Sequence, residues 1–425
     1  MKLDAKHEKN PEVQETKWPG IFRFALLGAR AARRPKWLVA AASGQRPRAE
    51  LAATVEIDVC HDRDTWNAAI ALLKGSLYHS WQWGELRQSL GWQAWRILAT
   101  HEGRPVAAAQ ILERRLPVLG SLFYGIHGIA CPDVTNLPPV LAWLREFLAQ
   151  RNAILLRLDP RLSGNHDERK AVLLRAGLRA RTDQWTVWNL PRATMMVDLR
   201  PTEPELLLNM RSKHREHICR ATRAGLAFLA GDGPEELRQL YSVVSRSSER
   251  QGFAMRDFSY FEELRRHLLR GGRGMIFLAR KDGVPIAGIL CSIFGDTAYY
   301  LYGGFDYNAR QYHPNEYLHF SAFKWAKANG CHWYNMSGAG TAYPPKQGNS
   351  GFGLYNFKKG FGAKLCYSDG YFDLVENRVA AGIVRLAEHC ADPVARIVNF
   401  VRGVPFLNAV RKRVSGNQPP AMAES

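Results

Sequence analysis

The chain has 425 residues and carries 58 Lys and Arg against 39 Asp and Glu, which gives a formal net charge of +19. With 46% hydrophobic residues it can bury a core, so a wholly disordered chain is excluded, and its length predicts two or three domains. No apolar run reaches the roughly 18 residues that a membrane-spanning helix needs. Residues 1–11 show no secretory signal, and seven scattered cysteines without C-x-x-C spacing argue against a disulfide framework or a zinc site. We therefore expect a cytoplasmic protein with reduced thiols and no metal.

Both ends of the chain read as extensions of a folded region. An excess of basic residues attracts nucleic acid, anionic membranes or phosphorylated substrates. Residues 1–50 mix aromatic and basic side chains, and Pro19, Gly20 and Pro35 interrupt any long helix. We expect a partly disordered basic extension there, for which peripheral contact with the inner face of the cytoplasmic membrane is one interpretation. Residues 415–425, rich in Pro, Ala and Ser, are typical of a disordered tail.

The region between the ends contains an internal repeat. Residues 97–108 read as a strand, a tight turn and a second strand, and residues 277–288 repeat this pattern. Each copy is followed by a strand that ends in Tyr-Gly, by a helical pattern at 138–151 or 314–329, and by an apolar strand. This shared order predicts two tandem α/β domains, each with a mixed, mostly antiparallel sheet flanked by helices.

The repeat also predicts the domain boundaries. The first domain is expected at 51–195 and the second domain at 196–375. Residues 376–414 read as basic amphipathic helices. The element order of each copy is similar to that of the acyl-CoA N-acyltransferase (GNAT) domain, so a GNAT-like fold is expected for both.

Four motifs, in order along this duplicated unit, resemble the signatures of the FemABX family. Members of this family are tRNA-dependent aminoacyltransferases that add amino acids to the side chain of peptidoglycan precursors. The matching segments are 78–87 (Y-H-S-W-Q-W-G-E-L-R), 196–225 (opening with M-V-D-L), 256–261 (R-D-F-S-Y-F) and 353–362 (G-L-Y-N-F-K-K-G-F-G). The resemblance covers the chain from about residue 56 to about residue 374 and implies an acyltransferase of the cell envelope. It also implies that the second domain is the catalytic one and that residues 376–414 pack on the first domain.

The resemblance implies an acceptor site built from four residues. Arg87 takes the place of a basic residue that binds the diphosphate of the precursor, where the family pattern has Lys. Arg256 and Tyr260, four residues apart, match positions that hold the same precursor. Tyr302, at the end of a predicted strand, matches a tyrosine of that site. The implied partner is therefore a peptidoglycan precursor or another diphosphate-linked glycan.

Lys358 matches the catalytic lysine of the family, with Phe357 before it. Aminoacyl transfer starts from an activated ester, so the enzyme mainly has to align the reactants and stabilise the tetrahedral oxyanion. A lysine cation suits that task. No Ser-His-Asp or Cys-His arrangement has a known spacing, so no covalent nucleophile is expected. Asp306 is the best candidate for a general base, although its position is more typical of a solvated turn.

A run of cations at 211–223 predicts a phosphate or nucleic-acid contact. It contains five basic residues and one acidic residue, and we single out Arg211, Lys213 and Arg215 as contacts to phosphate or tRNA. A solvated helix face is the alternative interpretation.

Three hypotheses for the function follow. The first is transfer of an aminoacyl group from aminoacyl-tRNA, as donor substrate and without a cofactor, to an amine of a lipid-linked or UDP-linked peptidoglycan precursor. The second is an acyl-CoA-dependent N-acyltransferase that modifies a surface polysaccharide or lipid-linked sugar, and the third is a non-catalytic envelope-associated scaffold. GNAT enzymes hold the pyrophosphate of CoA with a glycine-containing turn. Residues 307–315 contain no glycine and Pro314 lacks an N–H, which disfavours CoA in the second domain.

Overall fold

The computed structural model describes residues 55–160, 166–181, 193–251, 255–339, 346–348, 351–368 and 370–387. The predicted extension at 1–50, the tail at 415–425 and residues 388–414 of the predicted C-terminal helices lie outside these ranges. Among the described residues, no helix is both long and apolar enough to cross a membrane. The six cysteines in the same ranges are all free thiols.

The first sheet has seven strands in the order β1-β2-β3-β4-β5-β14-β6. Its strands are β1 Glu56–Val59, β2 Gln93–His101, β3 Arg104–Leu116, β4 Gly120–His127, β5 Ala153–Pro160, β6 Arg179–Arg181 and β14 Tyr371–Val375. Four helices accompany it: α1 Arg63–Leu72, α2 Trp81–Ser89, α3 Leu137–Ala149 and α4 His166–Arg175. The buried face of α3 and the apolar faces of β2 to β5 form one core cluster.

The second sheet also has seven strands, in the order β13-β7-β12-β11-β10-β9-β8. Its strands are β7 Ala193–Asp198, β8 Ala227–Gly231, β9 Gly274–Lys281, β10 Val284–Phe294, β11 Thr297–Phe305, β12 Trp333–Gly338 and β13 Lys364–Tyr367. Its helices are α5 Glu203–Asn209, α6 Ser212–Arg223, α7 Pro234–Gln251, α8 Phe258–Leu264, α9 Pro314–Ala328 and α10 Phe352–Lys359. Short helical turns lie at Leu77–His79, Val134–Asn136, Arg265–Leu269 and Tyr307–Tyr312.

The internal repeat is a structural duplication. The hairpins β2–β3 and β9–β10 occupy equivalent places, and both residues of each turn have positive φ: Glu102 at 49°, Gly103 at 71°, Asp282 at 51° and Gly283 at 79°. Two successive left-handed residues define the turn that matches the twist of a tight hairpin, where glycine avoids the steric cost. An antiparallel strand, a helix and a parallel strand then follow in each copy. The prediction of two tandem GNAT-like domains is confirmed.

The two copies differ at their parallel strand pair. In the first sheet, β4 and β5 stay paired from Ser121 to His127. In the second sheet, β11 and β12 pair only where 297–299 face 333–335, and the two strands are unpaired beyond Asn335. Beyond this point β11 and β12 no longer exchange backbone hydrogen bonds with each other. Of the two parallel strand pairs, the one in the second sheet therefore has an opening between its strands.

The predicted boundary of the second domain at 375 is wrong by one strand. Strand β14 pairs with β5 and β6 and completes the first sheet, so the sheet of the second domain ends at β13. The reason lies in a buried ion pair, in which Arg157 donates two hydrogen bonds to the fully buried carboxylate of Asp373. Residues 378–387 continue as a helix, and Ala380, Ala381 and Val384 pack with Ile154 and Leu155 of the first domain.

A third apolar cluster is shared between the two sheets. It combines side chains of α2, β3 and β4 with side chains of α7, α8, β9, β10 and β11. Among its fully buried members are Leu86 of the first domain and Phe261 of the second. Burial of apolar side chains from both copies fixes the domains against each other. Tyr260 and Tyr302, both predicted for the acceptor site, pack against this shared cluster.

Candidate active site

Lys358 lies at the opening between β11 and β12. Its Nζ donates hydrogen bonds to the carbonyl oxygens of Met336 at 2.5 Å and Gly338 at 2.6 Å. Both carbonyls belong to the part of β12 beyond Asn335, where pairing with β11 has ended. The ammonium also lies 5.7 Å from the ring centre of Tyr300 on β11. Lys358 therefore bridges the two separated strands at the point where the sheet opens.

Helix α10, which carries Lys358, is held from below by the start of α6. The backbone N–H of Arg211 donates to the Gly360 carbonyl at 2.8 Å, and a ring nitrogen of His214 lies 2.9 Å from the Phe357 carbonyl. A Cβ on Gly360 would lie 2.0 Å from the imidazole of His214, so this closing-motif position requires glycine. Phe357 packs between His214 and Phe361, with ring centroids at 5.6 and 5.1 Å. Phe357 thus positions the helix that presents Lys358.

Lys358 is a buried cation without a carboxylate partner. Its side chain is 3% exposed, and within the described part of the chain it forms no ion pair. Burial lowers the pKa of Lys358 to about 7, while its two carbonyl acceptors favour the charged form. The nearby imidazole of His319 is neutral, because burial and the Lys358 charge lower its pKa to about 3. A buried charge that is left without a counter-ion is available to an incoming anion.

The shifted lysine makes stability depend on pH in a defined direction. An unfolded lysine has a pKa of about 10.4, so between about pH 7 and pH 10 the unfolded chain binds more protons than the folded chain. The free energy of unfolding attributable to Lys358 should therefore rise with pH across this range. Thermal unfolding of the wild type and of Lys358→Met over this range measures the effect. The stability of the wild type relative to the variant should rise with pH, and a constant difference would contradict the assignment.

Arg87 lies on α2 where the two domains meet. Its Nε is buried and has no hydrogen-bond partner. Burial lowers the pKa of Arg87, and so do Arg256 and Arg114, whereas Tyr260 and Tyr124 raise it. Arg256 and Tyr260 come from the second domain, while Arg114 and Tyr124 come from the first. A buried guanidinium with a free N–H among further cations and phenols is suited to a diphosphate, which accepts charge-assisted hydrogen bonds.

The other residues predicted for the acceptor site join Arg87 in one cluster, which we call the acceptor cluster. The guanidinium carbon of Arg256 lies 5.6 Å from the ring centre of Tyr260, whose ring centroid is 6.1 Å from that of Tyr302. Burial raises the pKa of Tyr302, and the neighbouring Tyr260 raises it further, so Tyr302 is a neutral phenol. The structure therefore brings the four residues Arg87, Arg256, Tyr260 and Tyr302 together.

A β-bulge on β11 separates this cluster from Lys358. Leu290 pairs with Tyr302 and Cys291 with Tyr300, so Leu301 is the extra residue of the bulge. Bulges near active sites change the direction in which a side chain points. Tyr302 packs in the cluster shared between the domains, whereas Tyr300 packs against the core of the second domain beneath α9. The acceptor cluster and Lys358 thus approach the strand opening from opposite faces of the sheet.

The three predicted phosphate contacts differ in their surroundings. Arg211 donates to the side-chain oxygen of Asn356 at 2.8 Å and so helps to hold α10. Arg215 donates to the Met210 carbonyl at 2.5 Å at the end of α5. Lys213 is exposed. Two of the three cations therefore have structural partners, and Lys213 is the most accessible to a ligand.

Asp306 is a capping residue in the structure. Its Oδ1 accepts a hydrogen bond from the backbone N–H of Asn308 at 2.9 Å, and Arg246 lies 3.9 Å from its Oδ2. These contacts match the solvated-turn interpretation, and they leave the general base unassigned.

The start of α9 carries a buried acid. Pro314 is the first helical residue, and Glu316 in the first turn is 7% exposed. A GNAT domain places the pyrophosphate of its acyl donor at this helix N-terminus, where free N–H groups would face the phosphates. Here one N–H is missing and a carboxylate occupies the first turn. The structure thus adds a missing N–H donor, at Pro314, to the absence of glycine.

Sequence reasoning missed two tyrosines of the site. Tyr124 lies beside Arg87, and Tyr300 lies beside Lys358. The sequence repeat could have identified Tyr124, because it aligns the Tyr-Gly pair at 124–125 with the pair at 302–303. Tyr300 had no comparable signal, since only the bulge at Leu301 decides that it faces the lysine.

Known proteins share this architecture. A family model described as an acetyltransferase (GNAT) domain matches residues 209–347. The lipid II:glycine glycyltransferase of Staphylococcus aureus (strain USA300) is 23% identical over 378 residues, which cover 72% of this chain and 89% of the relative. The crystal structure of FemX superimposes with a TM-score of 0.70 at 22% identity, covering 78% of this chain and 100% of FemX. With the four motifs and the duplicated GNAT fold, these matches confirm that the chain resembles the FemABX family of acyltransferases.

Proposed function

We propose that this acyltransferase moves an aminoacyl group from aminoacyl-tRNA to an amine of a lipid-linked or UDP-linked peptidoglycan precursor. The observation that carries the proposal is the buried, unpaired cation of Lys358 at the strand opening of the second domain. The Staphylococcus aureus relative, named as a lipid II:glycine glycyltransferase, supports the acceptor class.

In the proposed reaction the acceptor amine attacks the carbonyl carbon of the aminoacyl ester. The carbonyl oxygen then becomes an oxyanion, which the Lys358 ammonium stabilises through the N–H that it does not donate to Met336 or Gly338. Collapse of the tetrahedral intermediate breaks the ester bond and releases the terminal hydroxyl of the tRNA, while the former amine loses a proton. The ester is already activated, so alignment and this one charge supply most of what the step needs.

The acceptor diphosphate occupies the junction between the domains. Arg87 and Arg256 reach it from the two copies, and Tyr260 and Tyr302 contribute phenol groups. The amine of the acceptor then reaches the opening at Lys358 from the face opposite the lysine. Binding at the junction therefore sets the direction in which the acceptor enters.

The donor site lies on the other face of the second domain. The exposed Lys213 and the basic face of α6 lie next to the helix that presents Lys358. An extended anionic donor such as tRNA gains from such a face, whereas Pro314, which lacks an N–H, weakens a compact CoA pyrophosphate site at the start of α9. The membrane surface, where a lipid-linked acceptor resides, is the proposed place of action.

Replacing Arg87 tests the acceptor site. Arg87→Ala should raise the acceptor KM about tenfold to a hundredfold, since a hydrogen bond to a charged group contributes about 1.5–3 kcal/mol. Because the diphosphate is remote from the reacting amine, kcat should change much less. Steady-state kinetics with a UDP-linked precursor measures both constants, and Arg115→Ala, an exposed arginine on β3, is the matched control. A fall in kcat with an unchanged KM would remove Arg87 from the acceptor site.

A further inference from the structure

Two imidazoles and one carboxylate meet where α6 packs against the start of α9. His217 lies on α6. His313 immediately precedes α9, and Glu316 lies in the first turn of α9. Each offers one ligand atom, and these three atoms lie within 4.8 Å of one another. His217 Nδ1 is 2.8 Å from Glu316 Oε1, and the His217 and His313 rings stack with centroids 3.5 Å apart. The proposed transfer reaction uses none of these side chains.

The backbone of His313 adopts a conformation that is unusual for a residue other than glycine. Its φ is 50° and its ψ is 46°, the left-handed conformation, immediately before Pro314. Residues other than glycine seldom adopt this conformation, although Asn, Asp and His do so more often than most. Strain of this kind persists where the surrounding structure enforces it and is concentrated at functional sites.

We propose that His217, His313 and Glu316 form a binding site for a divalent transition-metal ion of the zinc class. Imidazole nitrogen together with carboxylate oxygen suits zinc and its neighbours, whereas calcium and magnesium prefer oxygen ligands alone. Three protein ligands leave a fourth position for water. A tetrahedral zinc ion holds its ligand atoms about 3.4 Å apart. The most distant pair of ligand atoms therefore has to close by up to about 1.5 Å, and the His217–Glu316 pair has to open slightly from 2.8 Å. The parallel His217 and His313 rings also have to rotate relative to each other, because an imidazole binds a metal in the plane of its ring.

The surroundings allow an ion to enter and be retained. Glu316 and His217 are 7% and 9% exposed, which fixes two ligands in a poorly solvated place. His313 is partly exposed and leaves a route from solvent. Lys213 and Arg220 add positive charge near His313, but both side chains are exposed, so solvent and salt screen them. An anion would instead meet the Glu316 carboxylate, which makes a cation the better occupant.

A bound ion would connect two helices that support the active site. It would tie His217 on α6 to the first turn of α9. Helix α6 also carries His214, and Arg211 lies immediately before the helix. Arg211 and His214 both contact α10 next to Lys358. The ion therefore fixes the support of the lysine without contacting the reacting groups, and its binding should stabilise the fold.

Metal titration of the full-length protein tests this site. Chelator-treated protein is titrated with Zn²⁺ against a chromophoric chelator, and with Co²⁺ while the visible absorption is recorded. We expect one equivalent of Zn²⁺, a Co²⁺ spectrum of tetrahedral type, and a Tm that rises with free Zn²⁺. His313→Asn retains a residue that tolerates the left-handed backbone, and Glu316→Gln retains the shape of the side chain. Each should weaken binding at least about tenfold.

The matched control is His332→Asn, which removes an exposed histidine that pairs loosely with Asp296. It should bind Zn²⁺ as the wild type does. The proposal is overturned if the wild type takes up no Zn²⁺ at micromolar free ion. It is also overturned if His313→Asn and Glu316→Gln, shown by their Tm without metal to be folded, bind as tightly as the wild type, or if His332→Asn alone loses the ion.

Discussion

Replacing Lys358 by methionine is expected to lower the turnover number at least about a hundredfold, because removal of one preorganised oxyanion donor costs about 10²–10³ in kcat. Methionine keeps most of the volume and removes the charge. The two β12 carbonyls that accept from Nζ lose that partner. The effect should lie in kcat and not in the acceptor KM, since the lysine acts on charge that develops in the transition state.

The matched control is Lys359→Ala, the exposed neighbour on the same helix. It should retain close to wild-type turnover. Far-UV circular dichroism and thermal unfolding establish that Lys358→Met is folded. Because the substitution removes a buried ammonium without a counter-ion, the Tm of the variant at neutral pH should be at most a few degrees below that of the wild type. Turnover of Lys358→Met within about threefold of the wild type would remove this lysine from the mechanism.

The second large effect concerns the strand that returns to the first domain. Asp373→Ala should lower the free energy of unfolding by about 3–5 kcal/mol, because it leaves the Arg157 guanidinium buried without its main partner. Arg157 and Asp373 face each other across β5 and β14, with contacts of 2.8 and 3.0 Å. Arg181 adds a third contact at 3.4 Å. Urea denaturation with the first and second domains followed separately measures the loss.

Arg385→Ala is the control for that experiment. Its guanidinium lies 3.7 Å from the same carboxylate, but the side chain is 42% exposed. An exposed ion pair contributes about 0–1 kcal/mol, so this variant should unfold close to the wild type. If Asp373→Ala also lost less than about 1 kcal/mol, β14 would not depend on the ion pair for its place in the sheet.

Local patterns in the sequence were sufficient to predict the domain architecture. The repeated strand–turn–strand unit gives the same hydrogen-bonded hairpin in both copies, and the predicted helices at 138–151 and 314–329 are observed as Leu137–Ala149 and Pro314–Ala328. Hairpins and amphipathic helices are decided by neighbouring residues, which a single sequence displays. The return of β14 to the first sheet is decided by Arg157, more than two hundred residues earlier, and no local pattern reports such a contact.

Residues of the candidate site could be predicted from the sequence only where the family resemblance assigned a role to the position. Arg87, Arg256, Tyr260, Tyr302 and Lys358 followed from the family resemblance, and the structure gathers the first four at one junction. Their environments were not predictable, because the burial of Lys358 depends on the early separation of β11 from β12. Arg215 illustrates the converse case. It reads as a free cation in the sequence, but it binds the Met210 carbonyl.

Long-range contacts also explain why the metal ligands were not anticipated. Cysteine spacing predicts no zinc site. In the sequence, His217 and His313 are separated by four strands of the second sheet, β8 to β11. Helix packing and one left-handed residue bring the two rings together. A stacked histidine pair of this kind has no sequence signature.

A single-turnover transfer assay tests the central claim most directly. Purified protein is mixed with a peptidoglycan precursor and either aminoacyl-tRNA carrying a labelled amino acid or labelled acetyl-CoA, with Lys358→Met as the blank. The proposed function predicts labelled precursor from aminoacyl-tRNA, none from acetyl-CoA, and transfer from aminoacyl-tRNA at least about a hundredfold slower with the variant. Transfer from acetyl-CoA without any transfer from aminoacyl-tRNA would contradict it.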